Sequence, residues 1–363
     1  MRTKNPAVRF VAVSLVCFSA ACAEKDDSAR TSMPAVPDPR AARALAARVV
    51  DDGPELAAPG DLALVGRYLV LLNTRGDSAI HVYDTRTGKL VRRFGREGAG
   101  PGEFRVAWSL DPEPGSDRVF WVFDIGLQRL TRVDLVNDFA AGRTNRFQTL
   151  QIEASAPVAS PVWSGDSMLV SPGFFSEGGR LAQIDRTGHL RRVVGDDPPG
   201  TGDTPMPVRQ HAYQSTVRPH PARSLLAAGT RHADRLEILR MNGSRIAAAA
   251  RPAGFEPVFK TTVRAGEPSM DSGDDMRFGY IDVATTADRV YALYSGRKRA
   301  DFPGEANFGE YVHVYDWNAR LLEVLRLDAP VITIEVDGDR QTLYAVRHNP
   351  RPMLTAYDLA HQP

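Results

Sequence analysis

Beyond residue 40 the chain reads as short apolar runs separated by Gly, Asp, Asn and Pro. No long segment carries apolar residues at i, i+3, i+4 and i+7, so the pattern predicts strands and turns rather than helices. One unit recurs, an apolar strand that ends in a polar turn: "HVYDTRTG" (81–88), "LTRVDL" (130–135), "AQIDRTG" (182–188), "EILRMNG" (237–243), "VHVYDWNA" (312–319) and "LTAYDL" (354–359). A second apolar strand precedes each copy, at 68–73, 119–123, 168–171, 224–229, 290–295 and 342–346. Anchored on Asp84, Asp134, Asp185, Arg240, Asp316 and Asp358, the copies are 50, 51, 55, 76 and 42 residues apart. Units of that size with several strands each are propeller blades, and six of them make a six-bladed ring.

The first copy divides into four strands, a to d: Leu62–Leu64, Tyr68–Asn73, Ala79–Tyr83 and Leu90–Phe94. The last has only three, Val331–Val336, Thr342–Val346 and Met353–Asp358. An orphan apolar run, Ala44–Val50, precedes blade one and is expected to supply the missing strand. Closing the ring in this way leaves no blade with an unpaired edge at the chain ends.

The stretch "FGREGAGPGEF" (94–104) then falls between strand d of blade one and strand a of blade two. Its glycines permit backbone reversals with φ > 0. A phosphate loop would need Gly-Lys-Ser/Thr before a helix, and here Gly102 is followed by Glu103. It is read as an inter-blade connector.

This connector, followed by "RVFWVFDIGLQRLTRVDL", resembles an NHL-type repeat: a glycine-rich link, a strand ending in Asp124, and Arg129 leading the next strand. The stretches "GYIDVATTADRVYALYSGR" and "YVHVYDWNARLLEVLRLDAPVITIEVDGDRQTLYAV" resemble the TolB-like six-bladed propeller lipoproteins of bacteria. The likeness covers most of the chain after residue 44 and is weak over 196–278. It implies an all-β propeller and leaves activity open, because one fold hosts many functions.

The N-terminus adds an address. Arg2, Lys4 and Arg9 precede the apolar run Phe10–Ala21, which is too short to span a bilayer and fits a secretory signal over 1–22. Both cysteines of the chain, Cys17 and Cys22, lie there, which excludes disulfides and Cys-based metal sites from the rest. Ser19-Ala20-Ala21 before Cys22 resembles a bacterial lipobox, which implies lipid attachment at Cys22; cleavage after Ala23 would instead release a soluble protein. Residues 23–40 are charged, small and proline-bearing and are read as a flexible tether to a domain at 41–363. The expected place is the bacterial cell envelope, anchored by lipid alone and facing the periplasm, or outside the cell.

Within a blade the a–b and c–d turns lie on one face, and the b–c loops and d–a connections on the other. The longest segments, 95–106, 196–214, 252–277 and 296–310, all belong to the second face, where a rigid scaffold usually carries its binding loops. Each b–c loop or its edge holds an arginine: Arg75, Arg129, Arg180, Arg231, Arg297 and Arg347, with Lys298 and Arg299 added in blade five. These form the candidate binding face for a carboxylate- or phosphate-bearing ligand. The competing reading pairs them with Asp77, Asp124, Glu177, Asp234 and Glu305. Phe174, Phe175, Tyr213, Phe255, Phe259, Phe302 and Phe308 share the face, either as loop anchors or as an interface.

A net charge of +1 gives no reason to expect nucleic acid as a partner. None of the eight histidines has helical metal spacing, although His211, His232 and His348 could meet on the loop face. No G-x-S-x-G or H-E-x-x-H occurs, so no catalytic or metal-ligating residue is assigned and no cofactor is expected. The reading favoured is a monomeric, non-enzymatic scaffold for an envelope protein or an anionic ligand. The alternative is a lactonase-like, metal-dependent hydrolase or lyase with a divalent cation in its channel, where Asp282 and Glu335 lie on inner strands.

Overall fold

The structure, a computed structural model, describes residues 41–139, 147–165, 168–200 and 203–360. The signal segment, Cys22 and the tether lie outside the described residues.

Six antiparallel sheets carry the predicted order. Blade one is Pro59–Val65, Tyr68–Asn73, Ile80–Asp84 and Lys89–Phe94. Blade two is Ala107–Pro112, Val119–Asp124, Arg129–Asp134 and Gln148–Gln151. Blade three is Val162–Ser164, Met168–Pro172, Leu181–Asp185 and Leu190–Val194. Blade four is Ser215–Pro219, Leu225–Thr230, Leu236–Arg240 and Arg245–Ala248. Blade five is Tyr280–Thr285, Val290–Tyr294, Gly309–Tyr315 and Leu321–Val331. Blade six begins with Thr333–Asp337, Thr342–Arg347 and Met353–Asp358.

The b strands are nearly continuous apolar runs because both of their faces are covered by neighbouring blades. All six residues of Val119–Asp124 are buried, whereas strand d of blade one is largely exposed. The core accordingly lies between blades. Val70 and Val82 meet Phe120 and Val133 between blades one and two. Leu293 and Val314 meet Ile334 and Leu343 between five and six. Tyr344 and Leu354 meet Leu69 and Tyr83, so blade six packs on blade one and the ring closes.

The N-terminal segment completes blade six as expected, with one difference. Arg48–Asp51 pairs antiparallel with Met353–Asp358 through Arg48↔Ala356 and Val49↔Thr355. The residues just before it leave that blade: Arg43–Leu45 runs parallel to the outer strand of blade five. Leu45 is buried in the core between blades five and six, and Arg43 pairs with Glu323 at 3.1 Å. One apolar run therefore straddles two blades and ties both to the chain start.

The glycine-rich connector behaves as read. Gly95 and Gly102 take φ of 83° and 76°, and a Cβ on Gly102 would run into the Phe147 ring. Phe104 is buried and Phe94 packs beside it. Glu103, where a phosphate loop would have lysine, accepts from Gly100 N–H at 2.9 Å and from Arg96 at 2.7 Å.

Two elements depart from the strand-only expectation. A helix, Met206–Ala212, lies in the connection before blade four and buries Val208, Gln210 and Ala212. A hairpin, Lys260–Arg264 with Glu267–Asp271, lies in the connection before blade five. The helix spans two turns, too short for a 3.6-residue period to show.

Candidate functional site

Two regions of the ring collect charge. The first is the central channel, lined by strands a. Blade one contributes Asp61, blade two Asp111, blade four Arg218, blade five Asp282 and blade six Glu335. Asp61, Asp111 and Asp282 are buried. Each stitches its blade to the next: Asp61 Oδ2 accepts from Leu110 N–H at 2.8 Å, Asp111 Oδ2 from Trp163 N–H at 2.7 Å, and Asp282 Oδ2 from Ile334 N–H at 2.9 Å. The Arg218 guanidinium sits 3.0 Å from Asp61 Oδ1 and 3.9 Å from Asp282 Oδ1.

One guanidinium cannot neutralise four carboxylates in a buried space, so protons are retained. Burial pushes Asp111 up to about 8, Glu335 up to about 7 and Asp61 up to about 6, with Arg218 pulling against burial at each. Burial also works against the Arg218 charge, but Asp61 and Asp282 outweigh it and hold its pKa above the usual range. The channel opens through a 560 Å³ cavity on the a–b turn face, with Asp111, Arg218 and Glu335 in its lining and Trp163, His220 and Arg223 among its other walls. Among the described residues no three His, Asp, Glu or Cys side chains are arranged to hold a metal ion.

The second region lies on the b–c face between blades four and five. A 560 Å³ cavity there is lined by Arg231 and His232 from the blade-four loop, Arg299 from the blade-five loop, His211 from the helix, and Arg264 and Asp271 from the hairpin. The Phe278 ring organises it: Arg231 lies 5.9 Å and Arg299 5.8 Å from its centroid, and His232 meets it edge-on at 5.3 Å. Arg299 is aimed by bonds to Ser272 O at 2.6 Å and Ser272 Oγ at 3.0 Å. Arg264 is paired loosely with Asp271 at 3.8 Å. Burial lowers the Arg231 pKa, opposed by the charge of Asp282. Burial and then Arg231 push His232 down to about 3, and burial followed by Arg231 and Arg264 lowers His211. Both rings are therefore neutral at pH 7.

The sequence-predicted cations separate into three groups. Arg180 pairs with Glu237 at 2.8 Å, Lys298 with Asp275 at 2.7 Å and Arg347 with Asp328 at 3.3 Å. None of these acids is among those foreseen. Arg129 donates to the carbonyls of Ala99 (2.6 Å), Gly100 (3.2 Å) and Glu103 (2.7 Å), clamping the glycine-rich connector. Arg231, Arg297, Arg299 and the exposed Arg75 have no carboxylate within ion-pair distance among the described residues, and Arg297 stacks on Phe302 at 4.7 Å. Of the three histidines, His211 and His232 share the cavity, while His348 lies apart, 3.0 Å from Pro59 O and beside Phe308.

The aromatics of this face mostly anchor loops. Phe175 is fully buried, Tyr213 donates to Glu256 at 2.9 Å, and Phe302 alone of the seven is exposed. Sequence reasoning missed Arg264 and Arg218. Arg264 sits in a stretch that gave no repeat signal. Arg218 carries one: a charge on an inner strand, as at Asp61 and Asp111.

A family described as TolB-like 6-blade propeller-like matches residues 50–339. Among solved structures, a member of the DUF4221 family from Bacteroides vulgatus superposes with a TM-score of 0.53 at 14% identity, over 87% of this chain and 96% of that one. The Cps50 (Swd1) β-propeller domain of Myceliophteria thermophila gives 0.46 at 13% identity, over 85% of this chain and 99% of that one. No curated protein matches the chain. At these identities the structural likeness speaks to the fold alone.

Proposed function

We propose that this chain, which belongs to the TolB-like six-blade propeller family, is a cell-envelope protein whose propeller is a non-enzymatic binding scaffold, presenting its b–c face to an anionic ligand or partner. The observation that carries this reading is the cavity between blades four and five, where Arg231 and Arg299 converge with no carboxylate within ion-pair distance among the described residues. Guanidiniums held on a scaffold in this state gain most from an incoming oxyanion.

The envelope assignment rests on the basic leader, the short apolar run and the lipobox-like Ser19-Ala20-Ala21 before Cys22. Among the described residues no helix is long and apolar enough to cross a membrane; the anchor proposed is a lipid at Cys22. Cell fractionation tests this: Cys22→Ala should move the protein from the membrane to the soluble fraction. Equal partition of both forms would reject the anchor.

Partner binding is tested by crosslinking in intact envelopes followed by affinity capture. The double variant Arg231→Gln/Arg299→Gln should lose the crosslinked species that the parent protein captures. Unchanged capture would overturn the use of this face. Metal analysis of the purified protein distinguishes the hydrolase alternative, which requires a stoichiometric divalent cation.

A further inference from the structure

We propose that the cavity between blades four and five is a binding site for a phosphate monoester, with Arg231, Arg299 and Arg264 as its charged ligands. This rests on the reading that the b–c face binds anions and names the chemistry. Three guanidiniums and one carboxylate, Asp271, line the space, and His211 and His232 are neutral beside them. The lining therefore carries two positive charges in excess, which matches a dianion better than a single carboxylate. Gln214 and Asn307 add neutral amide donors to the same wall.

His232 is the second observation. It is buried, with 5% of its surface exposed, and yet lines the cavity. Its Nδ1 lies 3.3 Å from the Ala212 carbonyl, which assigns the ring proton to that nitrogen. The described residues give Nε2 no partner. The groups facing the ring are Arg231, Arg299, His211 and the Phe278 edge. A hydroxyl on the organic part of the ester can donate to Nε2, while the phosphate oxygens meet the guanidiniums. At 560 Å³ the cavity exceeds one phosphate group, leaving room for the organic part of an ester.

The experiment is calorimetric titration of the purified protein with inorganic phosphate and with glycerol 3-phosphate, alongside flotation with phosphatidic acid or phosphatidylcholine vesicles. One site is expected, filled by glycerol 3-phosphate more tightly than by phosphate. Loss of one charge-assisted contact in Arg231→Gln or Arg299→Gln should weaken it roughly 10- to 100-fold. Arg264→Gln, on the exposed hairpin, should weaken it several-fold while leaving the fold intact, so it decides the matter if a more buried variant fails to fold. Arg86→Gln, exposed in a c–d turn on the opposite face, should change nothing. Binding of phosphatidic acid vesicles alone would place the same phosphate chemistry on a lipid. Absence of binding to inorganic phosphate, glycerol 3-phosphate and phosphatidic acid vesicles at millimolar concentration, or binding by Arg299→Gln and Arg264→Gln equal to the parent's, overturns the proposal. Phosphate binding that stands while envelope capture ignores these arginines would overturn the partner reading alone; capture lost without phosphate binding would do the reverse.

Discussion

The channel and the loop-face cavity are both rich in charge, but they treat it in opposite ways. In the channel every carboxylate has internal partners: backbone N–H groups of the next blade, the Thr333 hydroxyl at 2.6 Å from Asp282, and the Arg218 guanidinium. The surplus negative charge is removed by retained protons. In the cavity the guanidiniums of Arg231 and Arg299 rest on an aromatic ring rather than a carboxylate. A polar cluster that satisfies itself joins blades; one left with excess charge and open space is where a ligand is to be sought.

The sharpest way to break this contrast is to remove the centre of the self-satisfied cluster. Arg218→Met should destabilise the fold by about 3 kcal/mol at pH 7, because Asp61 and Asp282 lose the guanidinium that sits between them. The loss should shrink at pH 5, where Asp61, raised by burial to about 6, takes up a proton. Denaturant unfolding at the two pH values measures both, and a pH-independent loss under 1 kcal/mol, on the order of a surface change, would mean that the channel charges do not act as a unit.

Asp111→Asn should move stability the other way. The folded pKa of Asp111 is raised to about 8 from 3.8. Between those values the unfolded chain gives up its proton and the folded chain keeps it, so folding becomes less favourable as pH rises. The amide avoids this and can still accept from Trp163 N–H. A gain of roughly 2 kcal/mol is expected near pH 7.5, fading toward pH 4.

The cavity has the reverse pH signature. His232, depressed to about 3 from 6.5, makes the fold lose stability as pH falls from about 6.5 toward 3, since only the unfolded chain then binds the proton. His232→Gln should recover about 1–2 kcal/mol at pH 5, read from urea midpoints. Arg299→Gln should shift the midpoint by less than about 1 kcal/mol while weakening phosphate binding. Arg86→Ala, exposed on the opposite face, should leave both stability and binding unchanged and sets the baseline.

Much of this organisation was legible before any coordinates. Six strand-turn copies, the apolar strand before each and the connector at 94–104 follow from apolar runs that are nearly unbroken wherever a strand is covered on both faces. The fate of individual charges was not legible. Arg180 and Glu237 are 57 residues apart and meet only because blades three and four pack together. Arg129 turns back onto backbone carbonyls, which no side-chain pattern advertises.

The local alternation of apolar and polar residues thus determined the number of blades, their strand order and the role of the chain start in closing the ring, because strand period and turn chemistry act over a few residues. Tertiary structure alone decided that Leu45 leaves for blade five while Val49 stays with blade six. It also decided which arginines found a carboxylate and which were left facing an open cavity. Ion pairing depends on distances of a few ångströms between residues far apart in the chain, and those distances exist only once the blades are packed.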